Sequence, residues 1–176
     1  NSNFVNGTLG TIAGGGWNSA KIAYAAIGGG RSNTGSGLYS TVCGGRDNRA
    51  EHTYSTIGGG LRNEVAKVYA TAVGVAYNSV EGYAATVSGG RQNNATGNYG
   101  AIGGGLDNVL HALYSTIGGG RQNRVEHAYG AIAGGFNNVV LGQYDGIIGG
   151  YENVAHGFAA LIAGGRGNSV TGQHAC

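Results

Sequence analysis

Hydrophobic and polar positions recur along this chain with a period of fifteen. The stretch YSTIGGG occurs at Tyr54–Gly60 and again at Tyr114–Gly120, an interval of 60 residues, or four periods. Position 1 falls at Leu9, Tyr24, Tyr39, Tyr54, Tyr69, Ala84, Tyr99, Tyr114, Tyr129, Tyr144 and Ala159, which lays the chain out without a gap. Eleven whole repeats run from Leu9 to Gln173. A partial repeat precedes them, and His174–Cys176 begins another. The consensus is Y-S-T-I-G-G-G-R-x-N-x-V-x-G-x.

Fifteen residues are too few for a two-helix repeat, which needs about 33 or more. Positions 1–5 alternate with a period of two, the signature of a strand. Small residues at 2 and Ile or Val at 4 point one way; Tyr at 1 and Thr or Ala at 3 point the other. Positions 10–14 alternate too, with Asn, Val and Gly inward and variable polar residues at 11 and 13 outward. The pattern predicts an all-β fold: one β-solenoid over residues 1–176 with whole repeats in 9–173, eleven parallel 15-residue turns and two short strands per turn. At about 4.8 Å per turn the rod is roughly 53 Å long.

Gly at positions 5–7 is expected to form the first corner, since Gly tolerates a left-handed backbone. Position 10 is Asn in every whole turn: Asn18, Asn33, Asn48, Asn63, Asn78, Asn93, Asn108, Asn123, Asn138, Asn153 and Asn168. A stacked Asn column can bond both its own turn and the next, so these residues are expected to form a structural ladder. One turn breaks pattern. Val75 replaces the Gly of position 7, which should reshape the Tyr69–Tyr83 corner.

Composition agrees with a repeat. There are 39 Gly and no Pro among 176 residues, and 41% are hydrophobic. Collagen is excluded because Gly does not fall every third residue. Disorder is disfavoured because aliphatic and aromatic residues recur at fixed intervals. The net charge of +2 implies no strong attraction to nucleic acid or membranes. No apolar run approaches the roughly 20 residues of a membrane-spanning helix. The chain opens on Asn1 with no visible signal peptide, which reads as a mature product, a fragment or a segment of a longer chain. Cys43 and Cys176 lie roughly 43 Å apart in this register, too far to bridge within one rod. Two free thiols are the plain reading, and a bond between molecules at Cys176 is the sharper one. Neither end shows a cap, so the chain either continues or stacks end to end.

With these columns in place, the chain resembles the head repeats of YadA-like trimeric autotransporter adhesins. Those heads are β-rolls with strands of the type S-x-A-I-G and N/S-x-A-x-G. The matching stretches are YSTIGGG at Tyr54, YGAIGGG at Tyr99, NSVEG at Asn78 and NSVTG at Asn168. The chain departs from that family in its Gly-Gly-Gly corner, its Tyr column and the lack of a coiled-coil stalk or anchor among its residues. The half-repeat N-x-V-x-G is also similar to ryegrass-type ice-binding proteins. The first resemblance implies an adhesive role and a trimer; the second implies ice binding.

Candidate contact residues lie on the outward columns. Tyr24, Tyr39, Tyr54 and Tyr69 form one run, and Tyr99, Tyr114, Tyr129 and Tyr144 another. Where position 1 is Ala, at Ala84 and Ala159, the preceding residue is Tyr83 or Phe158, so the aromatic moves by one place. Beside the Tyr column stand Thr41, Thr56, Thr71, Thr86 and Thr116. Such a stripe suits a sister rod or the apolar faces of sugars. Arg recurs at position 8, as solvated charge or as a contact for an anionic glycan or phosphate. Arg and Glu lie two apart on one strand face in Arg49–Glu51 and Arg124–Glu126. His111 and His127 are the nearest approach to a metal pair, without a third ligand column. Sequons occur at Asn6 and Asn94, both at outward columns.

No nucleophile, metal or paired-carboxylate motif is present, and the glycine runs lack the Lys-Ser/Thr and helix of a phosphate loop. No cofactor is implied. The expectation is a non-catalytic structural or adhesive rod, a fibre subunit or adhesin head, at the cell surface or outside the cell. Its partners would be copies of itself, laterally, end to end or as a trimer, or a surface glycan. The alternative is a protein that binds ice or carbohydrate.

Overall fold

The structure, a computed structural model, describes residues 2–175. Cys176 and its expected role lie outside the described residues. The chain forms a stack of fifteen-residue turns, each giving two strands of two residues. Strands at positions 11–12, from Phe4–Val5 to Ser169–Val170, form a 12-stranded parallel sheet. Strands at positions 3–4, from Thr11–Ile12 to Leu161–Ile162, form an 11-stranded parallel sheet. Each residue pairs with the one fifteen later, as Thr56 with Thr71 and Ala50 with Val65. The fold is therefore the β-solenoid that the periodicity predicts.

The strands are shorter than the five-residue alternating stretches, and two backbone facts explain this. Position 1 is left-handed in every whole turn, with φ of 57° at Tyr54 and 53° at Tyr114. At position 10 the backbone N–H is taken by a side chain: that of Asn33 donates to Oδ1 of Asn18 at 3.0 Å. Only two residues per stretch are left to pair as strand.

Left-handed backbone at non-Gly residues is the principal departure from the glycine-only corner. Position 9 shares it, with φ of 57° at Asp47, 55° at Gln122 and 56° at Glu152. Each such residue costs about 1–2 kcal/mol. The flip turns the N–H toward the preceding turn. Tyr54 donates to Leu38 O at 2.9 Å and Arg62 to Arg46 O at 2.9 Å, whereas neighbouring N–H groups donate forward, as Thr56 does to Ala70 O at 3.0 Å. At the Tyr corner, Ser55 N–H also closes onto His52 O at 3.0 Å. With a positive φ at its third residue, this turn has the form of a type II turn, where Gly is usual. Among the glycines, position 7 is left-handed in all ten turns that carry it, from Gly15 at 82° to Gly165 at 93°.

Between the sheets lies a core one side chain thick. Ile27, Val42, Ile57, Val87, Ile102, Ile117, Ile132 and Ile147 come from position 4, and Val65, Val80, Leu110, Val125 and Val140 from position 12. Small Ala and Ser residues at position 2 fill the space by the Tyr corner. Burying an aliphatic side chain contributes about 1.5–3 kcal/mol. Ordering fifteen backbone residues costs on the order of 15 kcal/mol or more. A single turn is unstable alone, and the stack exists through hydrogen bonds and packing to its neighbours.

Val75 reshapes its corner as expected. It does not adopt the left-handed φ of the position-7 glycines. The amide of Asn63 donates instead to Gly74 O, at 3.2 Å. Val73 and Val75 are left 52% and 69% exposed, an apolar bump on a corner that, Ile148 apart, is built of small residues.

Candidate functional site

The asparagine column is interior. Asn33, Asn48, Asn63, Asn93, Asn108, Asn123, Asn138 and Asn153 are fully or almost fully buried. Each side chain ties its own turn to its neighbours; Asn48 Nδ2 reaches back to Oδ1 of Asn33 at 3.2 Å. Asn48 Nδ2 donates to Gly44 O in its own turn and to Gly60 O in the next, both at 2.9 Å. Its Oδ1 accepts the backbone N–H of Asn63 at 2.9 Å. One amide thereby satisfies two corner carbonyls and the N–H that the sheet leaves unpaired, so the column holds the coil together and offers nothing to a ligand.

The tyrosine column is exterior and unbroken. Tyr24, Tyr39, Tyr54 and Tyr69 stack in parallel at 4.6, 5.1 and 5.1 Å between centroids. At Ala84 the ring of Tyr83 bridges the gap edge-on, 5.8 Å from Tyr69 and 5.4 Å from Tyr99. Stacking resumes from Tyr99 through Tyr114 and Tyr129 to Tyr144 at 4.9, 5.5 and 4.9 Å. Phe158 then continues it edge-on, 5.5 Å from Tyr144. Each aromatic contact contributes about 0.5–1.5 kcal/mol, which offsets much of the left-handed strain at position 1.

These rings are between 37% and 50% exposed. In the stacked runs their faces are covered by the rings above and below. What they present sideways is ring edges and phenol hydroxyls. Sugar stacking, which needs a free ring face, is thereby disfavoured inside the runs. A flat partner that packs against ring edges and bonds hydroxyls is favoured.

Thr41, Thr56, Thr71 and Thr86 stand in register on four consecutive turns beside that column. Ala101 interrupts them before Thr116. They occupy the outward face of the 11-stranded sheet, half-buried at the first four positions and exposed at Thr116.

The glycine corner, where positions 8 and 9 follow the bend at 5–7, carries a feature that the columns do not show. Guanidinium groups there lie over aromatic rings: Arg31 over Trp17 at 4.7 Å, Arg91 over Tyr77 at 5.6 Å, Arg121 over Phe136 at 5.3 Å and Arg166 over Tyr151 at 4.8 Å. Arg62 covers the other side of Tyr77 at 5.8 Å. Phe136 and Tyr151 stack on each other at 5.1 Å. The rings stand at position 8 or 9, so their spacing from Arg is 14 or 15 residues, and two of the five pairs, Arg31 with Trp17 and Arg91 with Tyr77, fall between columns.

On the 12-stranded sheet, Arg49 Nη1 lies 3.2 Å from Glu51 Oε1. Arg124 Nε bonds Glu126, and Nδ1 of His111 lies 3.1 Å from the same carboxylate. Burial pushes the Glu126 carboxyl up, but its bonds to Arg124 and His111 outweigh this and hold it below the ordinary glutamate value. His111 therefore pairs with Glu126 rather than with His127. Among the described residues no group of three or more His, Cys, Asp or Glu is placed to hold a metal ion. Cys43 is exposed, as is Asn6, while Asn94 lies in a strand with a buried Oδ1 that has no hydrogen-bond partner.

Asp145 takes the place of the small residue at position 2 and is buried without a cation. Its two oxygens accept the N–H groups of Gly157 and Ala160, each at 2.8 Å. Ser115 does the same more weakly, accepting Gly130 N–H at 3.2 Å. Both are structural bonds across the Tyr corner. Among the described residues no helix is long and apolar enough to cross a membrane.

No protein-family model matches the chain, and no curated protein matches it.

Proposed function

We propose that this protein is a non-catalytic structural or adhesive rod, displayed at the cell surface or outside the cell, that makes its contacts through the tyrosine edge. One observation carries this reading: an uninterrupted line of half-exposed aromatic rings from Tyr24 to Phe158. Large aromatic surface left open along one straight edge is the composition of an interface. Extracellular display rests on the likeness of the repeats to adhesin heads. The partner best suited to ring edges and hydroxyls is a second copy of the rod, lying alongside.

The test is the triple variant Tyr54→Ser, Tyr114→Ser, Tyr129→Ser. Circular dichroism should show a folded coil, and sedimentation velocity should show loss of the self-association of the unmodified protein. Association that persists unchanged would remove the tyrosine edge as the contact surface.

The four in-register threonines support a second reading, an ice-binding face. Thermal hysteresis of the purified protein tests it, and Thr56→Val with Thr71→Val should abolish any hysteresis found.

A further inference from the structure

We infer that the arginine corner is a separate binding site, and that its ligand is an acidic polysaccharide: a linear sugar polymer carrying spaced carboxylate or sulfate groups. The site lies on the other corner of every turn from the tyrosine edge and does not depend on it.

Arg31, Arg91, Arg121 and Arg166 are exposed, and among the described residues none has a carboxylate within 4.0 Å. All four occupy position 8, where the backbone is pinned turn to turn by parallel bridges, such as Leu106 to Arg121 and Arg121 to Phe136. Each guanidinium rests on a ring one turn away. The plane of the fork is thus held by the ring and its root by the bridge. An anion that bonds it pays less ordering entropy than it would at a free surface arginine.

The geometry also selects the ligand. Tyr77 is covered on both sides by Arg62 and Arg91. Phe136 and Tyr151 are covered by Arg121, Arg166 and each other. No face in these two clusters is free for a nucleic-acid base to stack on. What faces solvent is N–H donors and ring edges, and ring edges carry the positive end of the aromatic quadrupole.

Spacing points the same way. The four guanidiniums are separated by 60, 30 and 45 residues, or four, two and three turns. At about 4.8 Å per turn these intervals are roughly 19, 10 and 14 Å. A nucleic-acid strand bears a phosphate about every 3.4 Å. Most of its charge would find no partner here and would instead meet Asp47, Asp107 and Glu152, which stand at position 9 on the same corner. A polymer with sparse anionic groups avoids that repulsion.

The experiment measures binding of the full chain at low salt to hyaluronan, which bears one carboxylate per disaccharide, to kappa-carrageenan, which bears one sulfate per disaccharide, to neutral dextran and to a single-stranded oligonucleotide. Binding to hyaluronan or to kappa-carrageenan, weakened by added salt and absent for dextran, is expected, and the stronger of the two identifies carboxylate or sulfate as the anion. The triple variant Arg91→Gln, Arg121→Gln, Arg166→Gln should bind at least about tenfold more weakly. The matching Lys triple, which keeps the charge but loses the fork, should also weaken it. The double variant Arg49→Gln, Arg124→Gln on the sheet face should not, nor should the tyrosine triple variant. Melting curves confirm that each variant is folded. No binding to either acidic polysaccharide, equal or tighter binding of the oligonucleotide, an equal loss in the sheet-face variant, or full binding by the Lys variant would each overturn the assignment.

Discussion

Oδ1 of Asn123 accepts two hydrogen bonds from Asn138 in the next turn, one from its backbone N–H at 3.1 Å and one from its side-chain amide at 3.2 Å. Its own Nδ2 donates to Gly119 O in the same turn and to Gly135 O in the next, each at 3.0 Å. Asn123→Ala strands a buried N–H and removes the donor from two carbonyls. The expected loss is about 3–5 kcal/mol, read as a fall in the urea midpoint. Asn123→Asp keeps the acceptor but replaces the donor with an oxygen facing two carbonyls, and should be worse than Ala.

Gly134 and Gly135 are neighbours with opposite tolerance. A methyl group added at Gly134 meets no atom within 4 Å, and its φ is not left-handed. At Gly135 φ is 99°, and the same methyl would lie 2.3 Å from Gly150 O. Gly134→Ala should raise stability by about 0.4–1 kcal/mol through the unfolded chain. Gly135→Ala should cost at least about 3 kcal/mol. Thermal melts of the two variants side by side distinguish them.

The Glu126 carboxylate gives the fold a small pH dependence of definite sign. Its pKa is lower folded than unfolded, because Arg124 and His111 favour the charged form more than burial disfavours it. Its contribution is full above the unfolded glutamate pKa of about 4.3 and is lost as pH falls through the lower folded value. Its partners Arg124 and His111 are exposed to solvent, which screens the interaction, so the effect is no more than about 1 kcal/mol. Urea midpoints of the protein and of Glu126→Gln should therefore differ at pH 7 and converge in acid. A difference that grows as the pH falls would contradict this.

The stacked columns were legible in the sequence because one face of each strand is dry. Ile57 and Val65 must be apolar and Asn63 must bond in two directions, so substitution there is restricted and the period shows. The corners were not legible. Tyr54 and Gln122 are left-handed where propensity would place Gly, and the reason, an N–H that donates to the preceding turn, exists only in the stack. Strand length was overestimated for a related cause, since the Asn33 N–H is claimed by a neighbouring side chain. On the outer surface, the tyrosine column was visible because it keeps one position. The pairing of Tyr77 with Arg91 crosses from position 9 to position 8 and disappears from any column-by-column reading.

The rule that each residue pairs with the one fifteen later also governs how such a chain can change in length. Deleting one residue from a turn would break the register of that turn against both neighbours and turn part of its core side chains to the opposite face, a fault in the stack although the later turns still match one another. Removing or duplicating a whole turn leaves each column where it was. The length of this rod is therefore adjustable in steps of about 4.8 Å, and a genetic event that respects the fifteen-residue frame lengthens or shortens both edges together without redesigning either.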